Sequence, residues 1–377
     1  MEKIMLAPDS YKGSLSAIEV CDVLASVISK HFPQCEIVKM PMSDGGEGFV
    51  NSIIQACGGK KVSSVVCDPL NRPINAAYGI LDDGRVIIEM AAASGLMLVE
   101  STQRDVMTAT SLGTGQLIKA ALDSGFREFI IGIGGSATND GGAGAASALG
   151  IRYLSRSGSV ILNGGDLQFL DRIDTSGMDR RLLESKITIA CDVTNPLVGE
   201  LGAAQVFAPQ KGASPAQVDT LDLGLRRLNE VLWRDTGINV QELPGSGAAG
   251  GFAAPFIAYA GARLQKGMDL ILEVMDFDPQ AKGCDLIITG EGRTDRQSAM
   301  GKVVSGIGKR AAALQIPAVV ISGSLDEGYE ELYEQGISAF LATTRRVTTL
   351  DDAMASARES LFQVGEDFCR ILKLGEE

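Results

Sequence analysis

Short apolar runs recur along the chain at Lys3–Leu6, 37–40, 129–133, Lys186–Ala190, Leu286–Thr289, Ala318–Ser322 and 339–342, and they end at Gly, Asp or Ser. Helical patterns fill most of the intervals. The first starts at Ser16, has Glu19 three residues on in capping-box spacing, and puts Val20, Leu24, Val27 and Ile28 on one face. Strands that alternate with helices predict an α/β fold with a parallel sheet covered on both faces. A different pattern, 77–81, Asp82-Asp83-Gly84 and 86–90, predicts an antiparallel β-hairpin. A last helix is predicted over 351–374, with Met354, Leu361, Val364, Phe368 and Ile371 at helical spacing.

A chain of 377 residues favours two domains over one. Two short strands precede residue 66 and three follow residue 284, which together would make a compact five-stranded unit. The expected organisation is therefore a discontinuous domain of 1–67 plus 283–377, a second α/β domain inserted over 68–282, and an active-site cleft at their junction.

Composition adds one anomaly, 45 glycines, which punctuate apolar segments without the period of a collagen. The net charge of −13 lacks the basic stripe a nucleic-acid surface needs, so no nucleic-acid partner is expected. The uncharged stretch 243–262 is too rich in glycine, alanine and proline for a membrane span and reads as a buried loop and helix. With no secretory pattern in the first residues and seven scattered cysteines without a CxxC pair, a cytoplasmic protein with reduced thiols is expected. His31 is the one histidine and lies near the end of a predicted helix, so proton chemistry falls to carboxylates or lysines.

The run 129–133 is followed by Gly134-Gly135-Ser136-Ala137-Thr138-Asn139-Asp140-Gly141-Gly142-Ala143-Gly144 and a helical pattern. Strand, glycine loop and helix together expose backbone N–H groups to an anion. Ser136, Thr138 and Asn139 add donors, and Asp140 is a candidate for Mg²⁺. An echo, Asp44-Gly45-Gly46-Glu47-Gly48, offers Asp44 and Glu47 to a hard cation or a hydroxyl-bearing ligand. Polar groups cluster after three further strands: Asp9, Ser10, Lys12 and Ser14; Asp192, Thr194 and Asn195; and Gly290, Glu291, Gly292, Arg293 and Asp295. Ligands bind at such strand ends in open α/β sheets, and Lys211 supplies a further cation. There is no G-x-x-x-x-G-K-[ST], and G-x-G-x-x-G at 245–250 follows Leu243-Pro244 instead of a strand, so neither phosphate fingerprint is supported.

Taken in order, Ala7-Pro8-Asp9-Ser10-Tyr11-Lys12-Gly13-Ser14, Asp44-Gly45-Gly46-Glu47-Gly48, Glu89-Met90-Ala91-Ala92-Ala93-Ser94-Gly95, 132–144, Cys191-Asp192-Val193-Thr194-Asn195-Pro196, Pro209-Gln210-Lys211-Gly212 and Gly290-Glu291-Gly292-Arg293 resemble the bacterial glycerate kinase family, the class not built on a P-loop. The resemblance covers roughly residues 3 to 325. It implies a flavodoxin-like parallel-sheet domain beside an inserted Rossmann-like domain. It also implies transfer of the ATP γ-phosphoryl group, with Mg²⁺, to a hydroxyl of D-glycerate, the 2-hydroxyl being expected.

On that resemblance Asp192 is the expected base, with Asp44, Glu47 and Asp295 as alternatives, and Lys12, Lys211 and Arg293 offset substrate charge. The phosphate and substrate contacts are expected among Asp9, Ser10, Ser14, Gly45, Gly46, Gly134, Gly135, Ser136, Thr138, Asn139, Gly141, Gly142, Thr194, Asn195, Lys211, Gly290 and Gly292. Asp44, Glu47, Asp140, Glu291 and Asp295 are the candidates for Mg²⁺. A 3-phosphoglycerate product, a related hydroxy acid, a NAD-dependent dehydrogenase and a two-lobed sugar-acid-binding protein are the competing readings. Neither a membrane partner nor a fixed oligomeric state is implied, and a homo-oligomer is left open.

Overall fold

The computed structural model describes residues 1–42, 49–299 and 301–375. It divides into two compact units, one built from the described residues of 1–44, 51–57 and 268–377, the other from those of 45–50 and 58–267.

In the first unit five strands pair side by side, all parallel, in the spatial order Ile337–Ala342, Ala318–Ser322, Leu286–Thr289, Lys3–Leu6, Glu36–Lys39. Leu286–Thr289 and Ala318–Ser322 are buried along their whole length, as a strand covered on both faces must be. Numbered in chain order within the unit, the strands run 2-1-3-4-5, the flavodoxin-like order. The chain reverses direction between Lys3–Leu6 and Leu286–Thr289, and sheets of this kind bind ligands beyond the carboxyl ends at that switch point. The helix Ala17–His31 carries the expected capping box at Ser16 and Glu19, and it buries Val20, Leu24, Val27 and Ile28 with Leu361, Val364 and Phe368 of Ala357–Leu374. His31 ends that helix against Glu366, 3.1 Å away, which accounts for it structurally. The predicted last helix is two, Leu350–Ala355 and Ala357–Leu374, which meet at Ser356, where the backbone leaves helical geometry at φ −98° and ψ 9°; Ile371 faces out.

The second unit has a six-stranded sheet in the order Arg263–Gln265, Lys186–Ala190, Glu128–Gly132, Val86–Glu89, Pro73–Ile80, Lys60–Cys67. The first four are parallel; the last two join through antiparallel pairings that include the expected hairpin. Lys60–Cys67 pairs with Pro73–Ile80 along eight residues and so belongs to this unit, while the chain re-enters the first unit at Met268. The expected limits of 67 and 282 therefore move to 57 and 267. The stretch 243–262 forms a buried loop and the helix Ala254–Ala260. Among the described residues no helix is long and apolar enough to cross a membrane.

Candidate active site

At the first unit's switch point the segments after Lys3–Leu6 and Leu286–Thr289 are stitched together. The N–H of Asp9 donates to the carbonyl of Gly290 at 2.8 Å, the Thr289 hydroxyl donates to the carbonyl of Ala7 at 2.8 Å, and the Tyr11 hydroxyl donates to the carbonyl of Ile321 at 2.6 Å. Burial pushes the Tyr11 phenol far above its ordinary range, so it serves as a fixed donor. Asp9, Ser10, Lys12, Ser14, Gly290, Glu291, Gly292, Arg293 and Asp295 are thereby gathered at the carboxyl ends of two adjacent strands. Lys12 is exposed. Ser14 turns its hydroxyl back to the carbonyl of Tyr11, and Asp9 accepts the N–H of Ser10. Arg293 is held by Asp326 at 2.7 Å and Asp295 at 3.4 Å, so its charge is already partly neutralised. Burial raises the Glu291 carboxyl above its ordinary range, and neighbouring Asp295 adds to the shift.

In the glycine loop of the second unit Asp140 is fully buried, and its carboxylate accepts from the Ser111 N–H at 2.8 Å, the Ser111 hydroxyl at 2.7 Å, and the N–H groups of Gly142 and Gly144 at 3.2 Å each. The Ala145 N–H goes to the Ser111 hydroxyl at 3.0 Å, and that of Gly141 to the carbonyl of Gly250 at 2.9 Å. The donors at the start of Ala143–Ala148 thus face a carboxylate built into the chain. In this structure Asp140 anchors the loop, and the N–H groups of Gly141 and Gly142 are already taken, by Gly250 and Asp140. Burial raises the Asp140 carboxyl, with these hydrogen bonds pulling the other way.

The exposed part of the loop lies earlier. Gly134 and Gly135 are exposed, and among the described residues no acceptor takes the backbone N–H of Gly134, Gly135 or Ser136. Behind this arch lies Lys211, 3% exposed, whose ammonium donates to the Ser136 hydroxyl at 3.0 Å and the Thr138 carbonyl at 2.6 Å. Burial lowers its pKa to about 8, with Asp140 opposing. The Thr138 hydroxyl and both amide atoms of Asn139 are buried without partners.

After Lys186–Ala190, Asp192 is exposed and accepts the N–H of Gly267 at 2.9 Å. Thr194 is exposed, whereas Asn195 spends its amide donor on the carbonyl of Leu201 at 2.7 Å. The glycines at 245–250 form a seam between these loops. The Gly247 N–H donates to the carbonyl of Asn195 at 3.0 Å, and a Cβ on Gly250 would lie 2.3 Å from Cα of Asn139. Close packing explains that motif.

Asp44, Gly45, Gly46 and Glu47 lie outside the described residues. Among the described ones no group of three or more His, Cys, Asp or Glu encloses a cation. Two further residues shape these loops: Ser111, whose signal in the sequence is its place just before the helical pattern of Leu112–Asp123, and Asp326, which carries none.

The glycerate kinase family model matches residues 4–373. The glycerate kinase of Bacillus cereus is 44% identical over 377 residues, covering 100% of this chain and 99% of that one. The glycerate 2-kinase of Escherichia coli is 43% identical over 375 residues, with 99% and 98% covered. The crystal structure of a protein described as glycerate kinase 2 from Salmonella typhimurium LT2 superposes with a TM-score of 0.90 at 42% identity, covering 100% of this chain and 99% of that one. With its motifs set at the strand ends and its full length matched, this chain belongs to the glycerate kinase family.

Proposed function

We propose that the chain transfers the γ-phosphoryl group of ATP to the 2-hydroxyl of D-glycerate, giving 2-phospho-D-glycerate and ADP. The observation that carries the reading is the arch Gly134-Gly135-Ser136, exposed at its two glycines and backed at the buried Ser136 by the buried ammonium of Lys211, in a chain of this family. Membership of a kinase family makes ATP the co-substrate.

Phosphoryl transfer asks a protein for positioning, charge neutralisation and a group to take the attacking hydroxyl's proton. Asp192 is the proposed base: its carboxylate stands exposed at a strand end, oriented by the Gly267 N–H. As the 2-oxygen bonds to the γ-phosphorus, the bond to the β,γ-bridging oxygen breaks, ADP leaves and the hydroxyl proton passes to Asp192. Lys12, with the backbone of Gly290 and Gly292, supplies a phosphate-binding surface at the first unit's switch point. Arg293 screens charge there while held by Asp326 and Asp295.

Glu291 and Asp295 would hold a magnesium ion, whose charge would offset the burial and the repulsion from Asp295 that disfavour the charged form of Glu291. When bound, the ion would neutralise phosphate charge. Asp44 and Glu47 remain candidates of the same kind. The cysteines described are all free, which supports a cytoplasmic location.

An ADP-release assay with D-glycerate and Mg-ATP, with the product assigned by phosphorus NMR, tests this function. ADP release no faster than without glycerate, or 3-phosphoglycerate as the product, would refute it.

A further inference from the structure

We propose that Ser136 is the direct contact for a substrate oxyanion, and that Lys211 is a positioning residue that acts through it by fixing the direction of its hydroxyl proton. This deepens the reading above and rests on it for the identity of the substrates.

A serine hydroxyl has one proton to give and lone pairs to accept with, whereas a charged ammonium can only give. Lys211 Nζ lies 3.0 Å from Ser136 Oγ, so the serine accepts there and its own proton must turn elsewhere. Among the described residues nothing takes that proton. Ser136 is 8% exposed and follows the exposed Gly135, so the outward direction leads to the rim of the arch. Its backbone is fixed by the bridge to Gly95, flanked by the Leu96 N–H on the Gly135 carbonyl at 2.8 Å and the Ala137 N–H on the Ser94 carbonyl at 2.9 Å.

Lys211 is too deeply buried to meet a ligand well itself, and a second of its protons is spent on the Thr138 carbonyl at 2.6 Å. Its charge reaches the surface through the polarised serine hydroxyl, beside the N–H groups of Gly134 and Gly135. Three to four donors without an acceptor on three consecutive residues, with a cation behind Ser136, suit a carboxylate or phosphate oxygen. Both substrates of the proposed reaction carry such a group.

The arrangement is sensitive to the charge of Lys211. As a neutral amine it can accept from Ser136, which turns the hydroxyl proton inward and removes the donor. Of the charged residues around it, Asp140 favours the ammonium, and the Arg104 backbone packs on Gly212, next in the chain. The buried ammonium's pKa near 8 puts this change within reach of ordinary assays.

The test compares the wild type, Ser136→Ala, Lys211→Met, the double variant and Lys211→Arg, with KM for D-glycerate and for ATP measured separately. Removing a hydrogen bond to a charged group should raise one KM by about 10-fold or more, with kcat within about threefold. A rise for glycerate alone assigns the carboxylate and a rise for ATP alone the phosphate, and either supports the proposal. Ser136→Ala in the Lys211→Met background should add less than about twofold, because the two act in series. In the wild type the affected KM should climb above pH 8, and Lys211→Arg should flatten that climb. Unchanged KM values in Ser136→Ala, or effects of the two variants that multiply, would overturn the relay. A wild type inactive on D-glycerate would defeat the substrate assignment alone. In that case the thermal shift caused by inorganic phosphate, larger in the wild type than in Ser136→Ala, supports the relay, and equal shifts overturn it.

Discussion

The Ser111 hydroxyl donates to the Asp140 carboxylate at 2.7 Å and accepts the Ala145 N–H at 3.0 Å, so one buried serine joins an acid to the helix start it neutralises. Asp140→Ala strips four buried donors of their acceptor. With each unmet buried donor costing about 1–3 kcal/mol and some relaxation, the loss should be roughly 3–5 kcal/mol. Ser111→Ala should cost less, about 1–2 kcal/mol. Urea denaturation checks the ranking, and an Asp140→Ala variant as stable as the wild type would remove the anchoring role.

Lys211 gives a pH dependence whose sign follows from linkage. Its folded-state pKa of about 8 lies below the ordinary value of 10.5, so between these the unfolded chain binds more protons. Stability therefore gains from this group as pH rises through that window, because a buried charge is being relieved. Measured against Lys211→Met at pH 7.5, 8.5 and 9.5, the relative stability of the wild type should increase with pH. A constant difference would mean that the lysine is not buried in its charged form.

Much of this was legible in the residues. Ser16 and Glu19 announced their helix, and Leu286–Thr289 and Ala318–Ser322 were readable as strands because burial on both faces leaves no polar alternation to misread. The glycine loop was legible as a loop, but the internal hydrogen bonds of its aspartate were not. Spacing cannot tell that Asp140 turns inward, because its partner Ser111 lies 29 residues away in the chain. The limit at Cys67 was missed for a similar reason: pairing with Pro73–Ile80 decides which unit Lys60–Cys67 joins. The 245–250 glycines matched a nucleotide fingerprint by spacing, yet they are required by backbone contacts with Pro196, Thr138 and Asn139.

Glu291 offers a test of the metal assignment. Glu291→Gln keeps the size of the side chain and its contact with the Thr294 hydroxyl at 3.3 Å while removing the charge. The Mg²⁺ concentration for half-maximal rate should rise by about 10-fold, the order expected when one carboxylate ligand of a hard cation is lost. Titrating magnesium at saturating ATP and glycerate measures it, and an unshifted curve would direct attention to Asp44 and Glu47.

Asp192→Asn should reduce kcat by about 100-fold or more, the usual scale for losing general-base assistance. Its Oδ1 can still accept the Gly267 N–H, so the loop and nucleotide binding should be preserved. Steady-state kinetics with a separate measurement of ATP affinity separates the two. Turnover near the wild-type value would pass the base role to another carboxylate.

Neighbouring positions in the glycine seam should respond in opposite ways. A Cβ on Gly250 would lie 2.3 Å from Cα of Asn139 and 2.4 Å from the carbonyl oxygen of Thr138, both backbone atoms, at a φ of +68°. Because neither can swing aside, Gly250→Ala should cost about 3 kcal/mol or more and displace the strand-end loop, raising KM as well. Ala249 already has a φ of 50°, a left-handed conformation that costs a residue with a side chain roughly 1–2 kcal/mol. Ala249→Gly relieves that strain while loosening the unfolded chain, so its net effect should stay within about 1 kcal/mol of zero. Thermal melts of the two variants side by side check the contrast. Equal tolerance at both positions would mean that the seam does not pack against Thr138 and Asn139 in solution.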